Sequence, residues 1–175
     1  MSRTRYYLEM PSPADLKPAS RPLPPAARVV ERPPDSAAIR RVTLAIGAPY
    51  GWPSQQWSNA GWAEYLAEPA LRHWTLELPE GQAGLVSIRR HDDGSVEIDT
   101  FGLTPAFVGR GLGAAFLEAA VRIAWALAPN IPRVWLHTLS TDHPHALRNY
   151  EARGFTVYRT EEIPDPDGTA RSQGT

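Results

Sequence analysis

The sequence contains no cysteine, which excludes disulfides, thiolate nucleophiles and cysteine-ligated metals. Lysine is scarce as well, because Lys17 is the only lysine and arginine supplies the remaining positive charge. The formal net charge is −1 over 175 residues. Domains that bind nucleic acid are usually strongly basic, so we expect no nucleic-acid partner.

Long apolar runs are also missing. No stretch approaches the ~20 apolar residues of a membrane span, and no apolar signal core follows Met1 to Tyr7. We therefore expect a cytoplasmic protein with no membrane partner. The length of 175 residues fits one domain with a continuous core, so residues 1–175 are predicted to form a single domain.

Proline is concentrated near the N-terminus, where eight of the 18 prolines lie within the first 34 residues. Proline disfavours helices and central strands. Residues 1–34 are therefore predicted to be an irregular segment with short strands at Tyr6–Met10 and Ala27–Arg32. Residues 35–72 are predicted to form two helices. Asp35 is the expected N-cap of the first and Ser58 that of the second.

Three strands follow, and the order of elements is not a regular βαβ alternation. Turns separate His73–Leu78, Ala83–His91 and Ser95–Thr104, and Asp92-Asp93-Gly94 is a hairpin signal. The order then continues with a helix after Gly111, a strand, a second helix and a last strand. We place these three later elements at Arg133–Leu139, Pro144–Arg153 and Phe155–Ile163, with residues 164–175 as a disordered tail. This order predicts a mixed α/β (α+β) domain, with a mostly antiparallel sheet and about four helices.

Glycines at 109, 111 and 113 join a strand to the strongest helix, which carries Glu118 and Arg122 as an i,i+4 pair. Such glycines let another group approach the backbone closely, and free N–H groups of the first helical turn attract an anion such as a pyrophosphate. A tight structural turn explains the same spacing equally well. The fingerprints of dinucleotide-binding and P-loop folds both fail here.

Two separated segments resemble the GNAT superfamily of N-acetyltransferases. Val108-Gly109-Arg110-Gly111-Leu112-Gly113 is similar to its [Q/R]-x-x-G-x-[G/A] motif, with Val108 where glutamine or arginine is usual. The segment from Ala146 through Tyr150 to Gly154-Phe155 is similar to its A-x-x-x-Y-x-x-x-G-F segment. The family often has asparagine where this chain has His143. The resemblance covers residues 73–163.

The resemblance implies a fold, a cosubstrate and a set of contacts. Residues 73–163 would bind acetyl-CoA, with the central strands splayed at the cofactor site and residues 35–72 on the acceptor side. The main chain of Leu103 would pair with the pantetheine. The coenzyme A pyrophosphate would lie on the turn formed by Val108, Gly109, Arg110, Gly111, Leu112, Gly113 and Ala114.

The resemblance also implies two catalytic residues. Tyr150 would protonate the leaving thiolate, since a phenol is a neutral donor at pH 7. Glu97 occupies the spacing of the base in the histone-acetylating branch, with Asp99 or a water relay as alternatives. In a regular strand Glu97, Asp99 and Phe101 would share one face.

Aromatic residues are expected to form the acceptor-side wall: Tyr50, Trp52, Trp57, Trp62 and Tyr65. His143 and His145 flank Pro144, but no carboxylate-rich ligand pattern surrounds them, so we expect no metal.

Three functions stay open at this point. The first is an acyl-CoA-dependent N-acyltransferase, in which a small-molecule or protein amine attacks acetyl-CoA directly in a ternary complex. The second is a non-catalytic CoA-binding or sensory domain of the same fold. The third is a structural or interaction domain in which the glycines form a plain turn. The sequence leaves a homodimer open.

Overall fold

Seven strands form one sheet in the computed structural model, which describes residues 2–164. The strands are β1 (Ser2–Met10), β2 (Arg28–Arg32), β3 (Leu71–Leu78), β4 (Gly81–Arg90), β5 (Val96–Leu103), β6 (Val134–Leu139) and β7 (Thr156–Pro164). The helices are α1 (Ala37–Gly47), α2 (Asn59–Ala67), α3 (Gly113–Ala126) and α4 (Ala146–Ala152).

The strand order in the sheet is β2-β3-β4-β5-β6-β1-β7. Every neighbouring pair is antiparallel except β5 and β6, which are parallel. The prediction of a mixed, mostly antiparallel sheet with about four helices is therefore confirmed. The connection from β5 to β6 contains α3, as a parallel pair requires a crossover.

The N-terminal strand inserts between β6 and β7, and nothing in the sequence indicated that position. It is longer than the predicted Tyr6–Met10, since β1 starts at Ser2. Ser2 pairs with Pro164, so both ends of the described chain lie side by side on the sheet. Because Pro164 belongs to β7, it is not part of a disordered tail; residues 165–175 lie outside the described part.

Helices cover both faces of the strands next to the site. Alternate residues of β4 point to opposite faces. Leu85 packs with Ile39, Val42 and Ile46 of α1. Val86 and Ile88 belong instead to the large core that includes Phe116 and Leu117 of α3. The central strands are thereby held between α1 on one face and α3 on the other.

One of the two predicted helix caps is present. Ser58 caps α2, because its hydroxyl accepts from the N–H of Gly61 at 3.1 Å. The predicted cap at Asp35 is wrong: Ser36 is the N-cap of α1, and it makes no side-chain cap bond. The predicted Glu118–Arg122 pair is present at 2.8 Å. No helix within residues 2–164 is both long and apolar enough to cross a membrane.

The turn after α4 depends on Gly154. Its φ of +106° is a backbone conformation that L side chains rarely adopt. A Cβ there would overlap the carbonyl oxygen of Asp15, in the N-terminal segment that packs beneath the turn. Lys17 fixes the same contact, since its N–H donates to the carbonyl of Arg153 at 2.9 Å. The turn and the N-terminal segment therefore constrain each other.

We expect Gly154→Ala to destabilise the protein by at least about 3 kcal/mol, because backbone strain adds to overpacking against Asp15. Gly51→Ala is the matched control, since Gly51 also has positive φ but a Cβ there meets no atom within 4 Å. Strain alone predicts a loss of about 1 kcal/mol at Gly51. Urea denaturation measures both, and equal losses would contradict the packing of Gly154 on Asp15.

Candidate functional site

The sheet opens between β5 and β6. Only Val96 with Val134 and Glu97 with Trp135 are paired across these strands. Beyond these two pairs the strands separate, so the β6-facing edge of β5 has main-chain groups without a ladder partner among the described residues. A cavity of about 460 Å³ occupies this opening. It is lined from β5 by Phe101 and Leu103, and from β6 by Thr138.

A β-bulge changes which side chains of β5 face the cavity. The register against β4 shifts between Ser87 and Ile88, so Asp99 is the extra residue. The prediction that Phe101 shares a face with Glu97 and Asp99 is wrong for this reason. The Phe101 ring lies 5.1 Å from that of Phe116 and 6.3 Å from that of Tyr150, on the α3 side.

The glycine turn forms one wall of the cavity. Gly109 and Gly111 both have φ of +79°, and a Cβ at either would meet no atom within 4 Å. The N-terminus of α3 has no side-chain cap, so the N–H groups of its first turn are free for an anion. Six of the seven predicted cofactor-binding residues of the turn line the cavity: Val108, Gly109, Gly111, Leu112, Gly113 and Ala114.

Arg110 is the exception in this turn. It pairs with Glu80 at 3.4 Å, and its guanidinium lies 4.9 Å from the centre of the Phe107 ring. It is not among the residues that line the cavity. The side chain of Arg110 thus points away from the opening, while its main chain belongs to the turn.

Tyr150 faces the cavity from α4 and is 8% exposed. Burial, and secondarily the charge of Asp142, raise the pKa of its phenol above the ordinary value, so the phenol is neutral at pH 7. Within residues 2–164 its hydroxyl has no hydrogen-bond partner. Tyr150 therefore presents a free proton donor to the cavity.

Asn149 fixes α4 to the glycine turn, because its Nδ2 donates to the carbonyl of Gly113 at 3.3 Å.

Glu97 lies at the closed end of the opening, on the face of β5 opposite Phe101. It is 6% exposed and does not line the cavity itself. Its Oε2 is 2.8 Å from Nε2 of His91, and its Oε1 is 3.9 Å from Nε2 of His137. Burial first, then the charge of Asp99, raise the pKa of the Glu97 carboxyl, and the two histidines oppose this shift.

Asp99 is engaged in other contacts. The hydroxyl of Tyr65 donates to its Oδ2 at 2.8 Å, and the guanidinium of Arg89 lies 3.6 Å from its Oδ1. His73, in the same region, is 1% exposed, and its Nδ1 is 2.7 Å from Oγ of Ser87. Asp99 is thus a carboxylate with a cation and a phenol already bound.

The aromatic residues predicted for the acceptor side divide into two groups. Tyr50 and Trp52 line the cavity. Trp57, Trp62 and Tyr65 form a separate cluster, with ring centroids 5.0 to 5.9 Å apart, and do not line it. Of the five aromatic residues predicted for the acceptor side, two therefore line the cavity.

Asp142 is a cavity residue that sequence reasoning missed. Its Oδ1 accepts from the indole N–H of Trp52 at 3.0 Å. Its Oδ2 accepts from the hydroxyl of Thr138 and from the N–H of Leu139, both at 2.8 Å. The only sequence signal was a carboxylate eight residues before Tyr150, directly ahead of His143-Pro144.

Metal ligands are not assembled in the part of the chain that the structure describes. No group of three or more His, Cys, Asp or Glu residues there could hold a metal ion. The rings of His143 and His145 have their centroids 5.4 Å apart, and both line the cavity.

Comparison with known proteins matches this geometry to one family. The model of the acetyltransferase (GNAT) family matches residues 41–155. A curated relative, mycothiol acetyltransferase from Acidothermus cellulolyticus, is 32% identical over 105 residues. That match covers 59% of this chain and 31% of the relative.

Solved structures show the same fold at low sequence identity. A GCN5-related N-acetyltransferase from Sphaerobacter thermophilus superposes with a TM-score of 0.66 at 15% identity, covering 90% of this chain and 49% of that one. A tandem GNAT protein from the clavulanic acid biosynthesis pathway gives 0.59 at 18% identity, covering 94% and 54%. The chain spans a third to about half of the length of these three relatives. Because the family model matches more than half of this chain, the chain belongs to the GNAT acetyltransferase family.

Proposed function

We propose that this protein is an acetyl-CoA-dependent N-acyltransferase, in which a primary amine attacks the thioester directly in a ternary complex. The observation that carries the proposal is the opening between β5 and β6. The glycine turn and Tyr150 line one cavity there, along which a pantetheine arm would extend.

Coenzyme A is proposed to bind along this opening. The pyrophosphate would lie on the glycine turn, where Gly109 and Gly111 leave the main chain uncovered and the first turn of α3 offers free N–H groups. The pantetheine would pair with the open edge of β5 at Leu103, as the edge of a sheet pairs with an added strand. The thioester would then reach the end of the cavity near Tyr150.

The reaction needs one bond to form and one to break. The amine nitrogen attacks the thioester carbonyl, and the carbonyl oxygen gains negative charge that main-chain N–H groups on the open edge of β5 would stabilise. Collapse of this intermediate forms the amide and releases the CoA thiolate. The thiolate takes a proton, and the ammonium form of the amine gives up two, so one proton leaves to solvent overall.

Tyr150 is the proposed donor of the proton to the thiolate. Its raised pKa keeps it protonated, and its hydroxyl is free of partners within residues 2–164. No cysteine is present to form an acyl-enzyme, which supports direct attack by the amine.

Glu97 is the proposed base, acting on the amine directly or through water. Burial raises the pKa of its carboxyl toward the operating pH, which improves a general base. His91 bonds to it at 2.8 Å and is 33% exposed, so a proton taken by Glu97 has a route to solvent. Asp99 is less suited, because Arg89 and Tyr65 already occupy its oxygens.

The relatives give weaker support for the identity of the acyl donor and of the acceptor than for the family. The mycothiol acetyltransferase relative supports an acetyl group, but this chain covers 31% of that protein. The residues that line the cavity bear on the acceptor class instead. A cytoplasmic location and a homodimer stay predictions from the sequence.

A non-catalytic CoA-binding domain is the second candidate, favoured by Val108 and His143 at two positions where the family pattern differs. Release of free thiol from acetyl-CoA, followed with a panel of amines, separates the two. Turnover with any amine supports the enzyme. Tight CoA binding with no release above the hydrolysis background would favour the second candidate.

We expect Tyr150→Phe to lower kcat by about 10²–10⁴-fold while the Kd for CoA stays within about twofold. The substitution removes one hydroxyl that has no partner in the described structure and keeps the ring that packs on Phe101 and Phe155. Thiol-release kinetics measure kcat, and calorimetric titration measures the Kd.

Phe101→Leu is the matched control for packing in the same wall, because it disturbs the ring contacts and leaves the phenol in place. Equal kcat for Tyr150→Phe and the wild type would mean that Tyr150 is a packing residue and that water protonates the thiolate.

Glu97→Gln is expected to lower kcat/KM by about 10²–10⁴-fold and to remove the acidic limb of its pH profile. Asp99→Asn is the matched comparison on the same face of β5. A larger loss with Asp99→Asn than with Glu97→Gln would make Asp99 the base. Little change with either variant would favour a water relay.

Glu97→Gln should also change how the free energy of unfolding depends on pH, and this measurement shows that the variant is folded. A carboxyl whose folded pKa is raised stabilises the protein in its protonated form, so that contribution is present below about pH 4 and is lost as pH rises through the folded pKa. Glutamine does not titrate. Glu97→Gln should therefore match the wild type near pH 4 and gain stability over it as the pH rises toward 8, by denaturant unfolding. Parallel stability curves would mean that burial of Glu97 carries no charge penalty.

A further inference from the structure

A carboxylate and two aromatic side chains that line the cavity have no role in the proposed transfer step. Asp142 lies on the loop between β6 and α4, and Tyr50 and Trp52 lie on the connection between α1 and α2. These two segments face each other across the opening and are joined by the bond from Trp52 Nε1 to Asp142 Oδ1 at 3.0 Å.

The side chains of Trp52 and Asp142 are held in place before any ligand arrives. Trp52 packs against Gly47, where a Cβ would come within 2.7 Å of the indole ring. Its own N–H donates to the carbonyl of Gly47 at 3.3 Å. Asp142 is oriented from the other side by Thr138 and by the N–H of Leu139. A site of this kind needs little rearrangement to bind a ligand.

Asp142 has capacity for a further donor. A carboxylate offers about four acceptor positions, and Trp52, Thr138 and Leu139 occupy three. All three of these donors are neutral. None of the ion pairs found among residues 2–164 includes Asp142. A half-buried carboxylate without a cationic partner is well placed to receive one.

We infer that Asp142, Tyr50 and Trp52 form the binding site for the ammonium group of the acceptor amine, here called the ammonium seat. The carboxylate supplies the charge, and the aromatic faces accept a cation and the apolar carbon next to it. This inference rests on the proposed function, since it gives the acceptor class for that same cavity. The class is a primary amine that arrives as a cation on a short apolar arm, from a small molecule or from a protein.

Three basic residues around the cavity predict the opposite preference. His143, His145 and Arg148 also line it, all from the loop before α4 and from α4 itself. If these side chains dominated the potential at the acceptor end, a neutral group would bind there better than an ammonium. The preference between a cation and its neutral isostere therefore decides the question.

The test uses coenzyme A derivatives that carry the probe group on the sulfur. S-(2-aminoethyl)-CoA places an ammonium beyond the sulfur, and S-propyl-CoA replaces it with a methyl group of similar size. A second pair, S-(3-aminopropyl)-CoA and S-butyl-CoA, reaches one carbon further. Calorimetric titration of the full chain gives the Kd of each, with CoA as reference.

We expect the ammonium probe to bind about 10-fold more tightly than its neutral isostere in at least one pair. Asp142→Asn should abolish this ratio and leave the Kd for CoA unchanged. Trp52→Phe is the matched variant, because it breaks the bond to Asp142 but keeps the carboxylate and an aromatic ring. It should retain most of the preference, and thermal unfolding of both variants checks that they fold.

Each of the other outcomes would overturn the ammonium seat, the role of Asp142 or the proposed function. Equal binding of both members in both pairs, or tighter binding of the neutral members, would overturn the ammonium seat while CoA binding still supports the proposed function. A preference that survives Asp142→Asn would assign it to another group. Absence of binding by CoA and by all four derivatives would overturn the proposed function and this inference with it.

Discussion

The pairing of β5 with β6 stops after two residue pairs, and the site depends on that interruption. A continuous ladder would fill the space with main-chain hydrogen bonds and leave no room for a ligand. The bulge at Asp99 acts on the same strand, because it turns Phe101 toward α3 and Tyr150 while Glu97 and Asp99 face the other side. One irregular strand thus places Phe101 on one face of the sheet and Glu97 and Asp99 on the other.

The opening needs rigid elements around it. On one side α1 packs on β4 through Leu85, and on the other α3 packs through Val86 and Ile88. Beyond β6, the N-terminal strand and β7 complete the sheet, and the turn at Gly154 rests on Asp15. The residues of the site are therefore positioned by parts of the chain that are far apart in sequence, including both of its described ends.

Local patterns predicted the parts of the fold that local interactions determine. The hairpin at Asp92-Asp93-Gly94, the cap at Ser58 and the glycine turn all followed from residue types at fixed spacing. Long-range features did not. The insertion of β1 between β6 and β7 and the position of Asp142 beside Trp52 depend on contacts 90 residues or more apart, as that hydrogen bond illustrates. The predicted direction of the Phe101 side chain was wrong for a different reason. A one-residue bulge moves every later side chain of a strand to the opposite face.

Binding of coenzyme A to the opening is tested most directly by isothermal titration of the full chain with CoA, with NAD as a second ligand that also carries a pyrophosphate. The geometry predicts one CoA per chain and no saturable binding of NAD at the same concentrations, because only a pantetheine can extend along the open edge of β5 toward Tyr150. Equal binding of both ligands would reduce the glycine turn to a general anion site. Binding of neither would contradict a coenzyme site in this opening.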